Sequence, residues 1–390
     1  VTPTRTTAWR LVVLLGVVSL FADATYEGSR SIIGPYLGRL GAGALIVSSV
    51  AGIGELLGYA LRFFFGALAD RSGRYWALTI VGYAVNVLAV PALALTGRWE
   101  AAAALVVLER AGKAARTPAR DAIISFATRD KELGRAFGIH EALDQVGATV
   151  GPLVVAAVLA ADRGFREAFG ILLVPALLCL ATLVIAWRLY PAPRHLERSG
   201  RVIEGAARLP RVFWLYLAAA ALMAAGYADF PLIAFHLDRT GAASLSIPIL
   251  YSVAMASDAI AALLWGRLFD ARGFRALLAV PFVTAAFAPL VFLGGFAATV
   301  VGVVVWGIGM GAQESVVRAA VARMAPAGRR ATAYGTFSAG YGVAWFAGSV
   351  VLGLLYDRSL AATAAFASAA QLAALPFLFA VVRGTRTPRS

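Results

Sequence analysis

The sequence predicts an all-α polytopic membrane protein, with twelve transmembrane helices in two pseudo-symmetric six-helix bundles. Composition is the first observation behind this. Of 390 residues, 60% are hydrophobic and 14% charged, with a mean hydropathy of +0.78, whereas a soluble domain carries about a quarter charged residues. Second, apolar segments long enough to cross a bilayer, about 20 residues or more, recur along the whole chain. The alternating segments of about ten residues that mark a transmembrane barrel do not. Third, the chain repeats itself. Gly66-Ala-Leu-Ala-Asp70-Arg71-Ser-Gly73-Arg74 returns 200 residues later as Gly266-Arg-Leu-Phe-Asp270-Ala-Arg-Gly273-Phe-Arg275. Arg39-Leu-Gly41 matches Arg239-Thr-Gly241 at the same offset, and Ala136-Phe-Gly138 matches Ala333-Tyr-Gly335 at 197. Six spans per half leave equivalent positions in the same orientation, so the halves are parallel repeats.

The spans are expected at roughly 11–37, 44–69, 75–96, 100–126, 135–161, 165–188, 211–237, 243–269, 275–296, 298–324, 331–357 and 360–382. The first is too long for a cleaved signal segment and belongs to the body. The one plausible linker, 189–210, holds Pro191, Pro193, Pro210 and several arginines. It divides the chain into an N-terminal bundle, 1–188, and a C-terminal bundle, 211–390. Of the 35 Lys and Arg residues, 22 fall on the side of the termini, six on the other side, and seven inside spans. This bias predicts both termini cytoplasmic in the cell (inner or plasma) membrane. The charge of +14 is thus a topology signal and not a nucleic-acid footprint. Cys179, the single cysteine, excludes an intramolecular disulfide or a thiolate metal cluster and reads as a small buried hydrophobe.

Away from the span ends, seventeen Asp, Glu, Lys and Arg residues lie inside spans, ten acids and seven bases. None lies in spans three, six, nine or twelve, as expected for helices facing hydrocarbon. Thirteen belong to the first half. On span one, Asp23, Glu27 and Arg30 share a face at i, i+4 and i+7. Span two carries Glu55 and Arg62. On span four, Glu109, Lys113, Arg116 and Arg120 lie within about 60° of one face, with Arg110 and Asp121 on a neighbouring face. Span five adds His140, Glu141 and Asp144. The second half holds only Asp229, Asp258, Glu314 and Arg318. Basic span four against acidic span five predicts a charge network of Arg62, Arg116, Arg120, Asp121, Glu141 and Asp144, which holds an arrangement more than it adds stability. Arg30 is a partner for Glu27, and Arg318 for Glu314. Asp229 and Asp258 have no such local partner. His236, at the end of span seven, and His195, in the linker, read as solvated.

The motif Gly66-x-Leu-x-Asp70-Arg71-x-Gly73-Arg74, with its echo around Asp270, resembles the loop 2–3 motif of the major facilitator superfamily, and the resemblance covers the whole length. Gly147-x-x-x-Gly151-Pro152 in span five is similar to the glycine-proline motif of the drug/proton antiporters of that superfamily; Gly-x-x-x-Gly also permits close helix packing. The resemblance implies the major facilitator fold, with spans three, six, nine and twelve facing lipid. It implies a cytoplasmic conformational latch at Gly66, Asp70, Arg71, Gly73, Arg74 and Asp270. It also matches Arg110 to the span-four arginine linked to proton transfer.

No catalytic constellation, nucleotide-binding loop or His-Glu-x-x-His metal motif is present, so an enzyme is not expected. The expected function is proton-coupled secondary transport by alternating access, most simply export of hydrophobic or cationic small molecules. The proton gradient is the energy source, no cofactor or resident metal is expected, and the protein is expected to be a monomer. A carboxyl in a low-dielectric cavity can load and release a proton near neutral pH, which assigns proton coupling to Asp23, Glu27 and Glu55 with Arg110. Arg30, Lys113, Asp229, Asp258 and Glu314 are candidate substrate contacts, with Phe230, Phe235, Trp306, Tyr341 and Trp345 as an aromatic surface for a cation. The basic row of span four leaves open an anionic or phosphorylated metabolite as cargo. Asp23, Glu27 and Asp229 leave open a divalent metal ion. A non-transporting receptor on the same fold would not need so many mid-membrane charges.

Overall fold

The computed structural model describes residues 5–127, 133–191, 209–324 and 330–385, leaving aside the side chains of 5–8, 126–127, 133–135, 137, 318–319, 322 and 330–332. Most of the expected linker, with His195, lies outside the described residues, as does the Arg318 side chain expected to pair with Glu314. Every regular element among the described residues is helical. In chain order the α-helices are α1 (Arg5–Arg30), α2 (Ile33–Arg39), α3 (Ala44–Ser72), α4 (Tyr75–Ala92), α5 (Trp99–Ala127), α6 (Leu133–Ala160), α7 (Phe165–Ile171), α8 (Leu173–Leu189) and α9 (Arg211–Ala225). They continue as α10 (Phe230–Arg239), α11 (Ser246–Arg272), α12 (Ala279–Thr284), α13 (Phe287–Phe292), α14 (Phe296–Ala312), α15 (Arg318–Met324), α16 (Arg330–Tyr356), α17 (Leu360–Ala373) and α18 (Leu375–Gly384).

These eighteen pieces make the twelve expected spans, because several spans are broken in two. Proline explains where in all but one case, the division of α14 from α15 being the π-helical turn Gln313–Val317. Its ring clashes with the carbonyl four residues earlier and it has no N–H to donate. Pro35 thus ends α1 near Ser31, Pro175 ends α7 at Ile171, and Pro289 separates α12 from α13 near Ala285. Pro231 and Pro376 stand in the first turn of α10 and α18, where no partner for the missing N–H is needed. Ten segments among the described residues are long and apolar enough to cross a membrane. One of them, Ser246–Phe292, has 47 residues and contains two expected spans. The helix α5 is long enough but carries seven ionisable side chains.

The repeat is written into the backbone. Among the described residues, four glycines have positive φ: Gly41 (93°) and Gly241 (84°), and Gly73 (66°) and Gly273 (59°), two pairs 200 positions apart. All four sit in turns that an L side chain would strain. Helix contacts repeat as well. A Cβ on Gly151 of α6 would strike the Ala24 carbonyl of α1, and one on Gly348 of α16 would strike the Ala225 carbonyl of α9.

Packing divides the chain into two compact units. The first comprises the described parts of Val1–Gly41, Leu57–Gly200 and Ala243–Ser252; the second comprises those of Ala42–Leu56, Arg201–Ala242 and Val253–Ser390. In the first, α1 is central. Its residues Leu11, Val12, Leu15, Val18 and Ala22 share one buried apolar cluster with Tyr83 and Val87 of α4, Ala119 and Ile123 of α5, and Cys179 and Leu183 of α8. Its opposite flank meets α6 through Gly147 and Gly151, which lie against the Leu20 and Ala24 carbonyls.

This contact is backbone against backbone, so it cannot yield by rotating a side chain. Gly151→Val is therefore expected to destabilise the protein by about 3 kcal/mol, the upper end of overpacking, read as a lower unfolding temperature in detergent. Gly58→Ala on α3, where an added Cβ meets nothing within 4 Å, is expected to leave it unchanged or slightly raised.

Candidate functional site

Helix periodicity places Ser19, Asp23, Glu27 and Arg30 along one face of α1, and Glu109, Lys113, Arg116 and Arg120 along one face of α5. Both rows become interior because small residues bring the helices together. Gly82 of α4 would place a Cβ 2.6 Å from the Arg116 backbone nitrogen, and Gly112 of α5 would place one 2.5 Å from that of Asn86. The result in the first unit is a buried ladder of ionisable groups in three tiers.

At the first tier, Arg120 grips Asp121 with Nη2 at 2.8 Å and Nε at 3.0 Å, and donates from Nη1 to Ser19 Oγ at 3.0 Å. Ser19 also meets Tyr83 Oη at 2.9 Å and His140 Nε2 at 3.2 Å. Asp144 Oδ2 stands 3.6 Å from His140 Nε2 and 3.9 Å from Arg120. Glu141 is exposed.

At the second tier, Arg116 is 1% exposed and donates to Asp23 Oδ1 at 3.4 Å. Its guanidinium also lies 4.2 Å from the centre of the Tyr83 ring, a favourable cation–π geometry. Lys113 Nζ donates to Tyr26 Oη at 2.5 Å.

At the third tier, Glu27 takes a hydrogen bond from the Tyr251 hydroxyl and stands 3.9 Å from Arg30. Glu109 accepts from Asn86 Nδ2 at 2.6 Å and faces Arg110 Nε at 3.4 Å. Asp23, Glu27, Arg30 and Glu109 are all buried.

The other candidates fall elsewhere. Glu55 packs in the second unit. Arg62 lies over the Tyr59 ring at 5.7 Å. In the second unit Asp229, 2% exposed, accepts from Trp345 Nε1 at 3.1 Å and Ser349 Oγ at 2.8 Å. Its lack of a partner on its own helix is therefore made good from α16. Asp258 is buried against Gly311 of α14, and Glu314 is exposed on a π-helical turn, Gln313–Val317. Phe230, Phe235, Trp306, Tyr341 and Trp345 are buried in ring-on-ring contacts. His236 corrects the sequence reading. It is buried, with Nδ1 3.0 Å from the Tyr356 hydroxyl, because the break before α10 turns that short helix inward on nearly all sides.

At the repeated loops, exposed Asp70 accepts from Tyr75 Oη at 3.0 Å, Gly66 lies against Pro118, and Arg71 and Arg74 are exposed. Asp270 pairs with Arg323 at 3.0 Å, whose guanidinium covers Phe269.

Sequence reasoning missed Ser19, Tyr26, Tyr83, Asn86 and Tyr251 as members of the site. A signal existed for three: Ser19 continues the Asp23 row one turn earlier, and Tyr83 and Asn86 are polar residues three apart on a span otherwise expected to face lipid.

Arg116 is the cation that touches buried Asp23, with Lys113 and Arg120 further off. Arg116→Met is expected to cost about 3–5 kcal/mol in detergent unfolding measurements. Adding Asp23→Asn is expected to restore much of that loss, since it removes the stranded charge.

The model of the Major Facilitator Superfamily matches residues 14–349 and 230–390. An uncharacterized protein of Mycobacterium tuberculosis is 41% identical over 389 residues, covering 98% of this chain and 94% of its own. Multidrug resistance protein MdtH of Edwardsiella ictaluri is 31% identical over 176 residues, 45% of this chain and 42% of that one. Among solved structures, the peptide transporter POT in complex with sulfate superposes with a TM-score of 0.79 at 17% identity, covering 96% of this chain and 94% of that one, a likeness of fold alone.

Proposed function

The chain belongs to the major facilitator superfamily, a multi-pass membrane transporter of small molecules, and from that premise we propose that it is a proton-coupled exporter of hydrophobic or cationic compounds working by alternating access. The observation that carries the proton-coupling role is the contrast between the partly exposed pair Arg120–Asp121 and the buried pairs of Asp23 and Glu27. Arg120 holds Asp121 at 2.8 Å, the length of a full charge-assisted hydrogen bond, which suits a structural tie. Asp23 and Glu27 stand 3.4 Å and 3.9 Å from their arginines. A carboxylate so loosely paired loses less when it exchanges its cation for a proton. Glu55 and Arg110 are proposed as further members of this function, Arg110 through its contact with Glu109.

Export and a drug-like cargo are supported by the similarity to MdtH. Asp229 and Asp258 are the proposed contacts for a cation, with Arg30, Lys113 and Glu314 as further substrate contacts. One observation favours a second reading, an anionic or phosphorylated cargo: buried Arg116 has two nitrogens, Nε and Nη1, with no hydrogen-bond partner. Among the described residues no three His, Cys, Asp or Glu side chains gather as metal ligands, so a divalent cargo has no such support. The repeated loops at Asp70 and Asp270 are proposed to act on the conformational cycle. The protein is proposed to work as a monomer in the cell membrane, with both termini cytoplasmic.

In proteoliposomes with an imposed pH gradient, Asp23→Asn and Glu27→Gln are each expected to abolish flux of a lipophilic cation such as tetraphenylphosphonium. Unchanged flux in both would remove them from coupling. Binding of that cation, of an organic phosphate and of a divalent metal to the purified protein separates the cargoes. Asp70→Ala is expected to lower flux while leaving binding affinity within about twofold of the parent, the pattern of a residue acting on the cycle and not on the ligand. A loss of binding would contradict the latch.

A further inference from the structure

Residues 243–252 belong to the second half of the sequence repeat, yet they pack within the first unit. Residues 42–56, essentially their counterparts 200 positions earlier, pack within the second. The exchange is reciprocal, and specific contacts fasten each segment. In the first unit Arg39 Nη2 donates to Ser244 Oγ at 3.2 Å, and Ser252 Oγ donates to the Thr149 carbonyl at 2.9 Å. In the second, the Leu45 N–H donates to Asp357 Oδ2 at 3.4 Å, and a Cβ on Gly52 would come within 2.8 Å of the Ser349 Cβ. Position 251 breaks the symmetry. Its counterpart is Ala51, whereas Tyr251 is fully buried and gives its hydroxyl hydrogen to Glu27 Oε2.

We infer that Tyr251 is a positioning residue whose hydroxyl ties engagement of residues 243–252 to the ionised state of Glu27. The inference rests on the proton-coupling role proposed above for Glu27. A hydroxyl bound to a carboxylate makes a charge-assisted bond, about twice as strong as one to a neutral oxygen. Protonating Glu27 therefore weakens the tie, and by linkage disengaging the segment favours protonation to the same degree. Among the described residues, the other titratable and charged groups around Glu27 are Asp23, Tyr26 and Arg30 on α1 and Glu109 and Lys113 on α5, with Arg110 beside Glu109 and near Tyr251. At this level α6 presents the small residues around Gly151. Tyr251 is thus the group that α11 brings to Glu27. Since α11 runs unbroken from Ser246 to Arg272, the segment moves with the helix that carries it, and a proton on Glu27 becomes a signal to that helix.

Ser252→Cys in the full-length protein provides the probe. The native Cys179 is fully buried and does not compete. Labelling by a methanethiosulfonate reagent in proteoliposomes is measured at pH 8 and pH 5, each rate divided by that of the same protein denatured in SDS. The normalised rate is expected to rise about tenfold at the lower pH, the effect of losing a hydrogen bond to a charged group. Tyr251→Phe, which removes one oxygen and keeps the ring, is expected to give a high rate at both pH values. Glu27→Gln, which leaves Tyr251 intact, is expected to do the same. A pH step lost in Glu27→Gln but kept in Tyr251→Phe overturns the role of Tyr251 and leaves Glu27 as a proton site. A step kept in both variants overturns the tie and argues against Glu27 as the proton site. A uniformly low rate in Tyr251→Phe, or no step in the starting protein, overturns the tie alone and leaves proton coupling to the flux measurement.

Discussion

The structure of the first unit depends on one constraint: a charge carried into a low-dielectric interior must find a partner there, since leaving it alone costs several kcal/mol. The helices α1 and α5 between them carry Asp23, Glu27, Arg30, Glu109, Arg110, Lys113, Arg116, Arg120 and Asp121, more than an isolated span can bring into a bilayer. Each row is tolerable because the other faces it. Glycine packs each row's helix closely against its neighbour: Gly82 and Gly112 between α4 and α5, Gly147 and Gly151 between α1 and α6. The glycine pattern and the charge pattern are one requirement met from two sides.

Within the ladder the pairs differ in kind. Arg120 is committed, with Asp121, Ser19 and Asp144 around it. Asp23 and Glu27 have longer contacts to cations and shorter ones to neutral hydroxyl neighbours or none, so a change in protonation disturbs less. The second unit handles its acids differently. Asp229 is held by an indole N–H and a serine hydroxyl, neutral donors that satisfy a carboxylate without cancelling its charge. Repeated backbones thus place different donors around their acids in the two halves.

Breaks in the helices serve the same end. The leading helix of each half is interrupted, α1 before α2 and α9 before α10. The residues beside the breaks include Glu27, Arg30 and Asp229. Discontinuous helices are a recurrent way of building polar sites at membrane depth, because the freed backbone groups are sheltered by protein.

The sequence by itself determined the helical class, the number of spans and the repeat, because hydrocarbon thickness demands about 20 apolar residues per crossing and because left-handed turns demand glycine at 41, 73, 241 and 273. It also determined that Asp23, Glu27 and Arg30 share a face, since helical periodicity is a local property. The breaks near Pro35, Pro175 and Pro289 are explained by proline only once the structure is known, since Pro91, Pro118 and Pro152 sit inside unbroken helices. What only the tertiary structure decided is partnership. Which arginine meets Asp23, that Tyr83 and Asn86 turn inward from a span expected to face lipid, that Asp229 is answered from α16, and that Tyr251 reaches Glu27 across 224 residues of sequence all depend on contacts between helices distant in the chain. Periodicity orients a side chain about its own helix axis; it holds no information about which helix lies beyond that face.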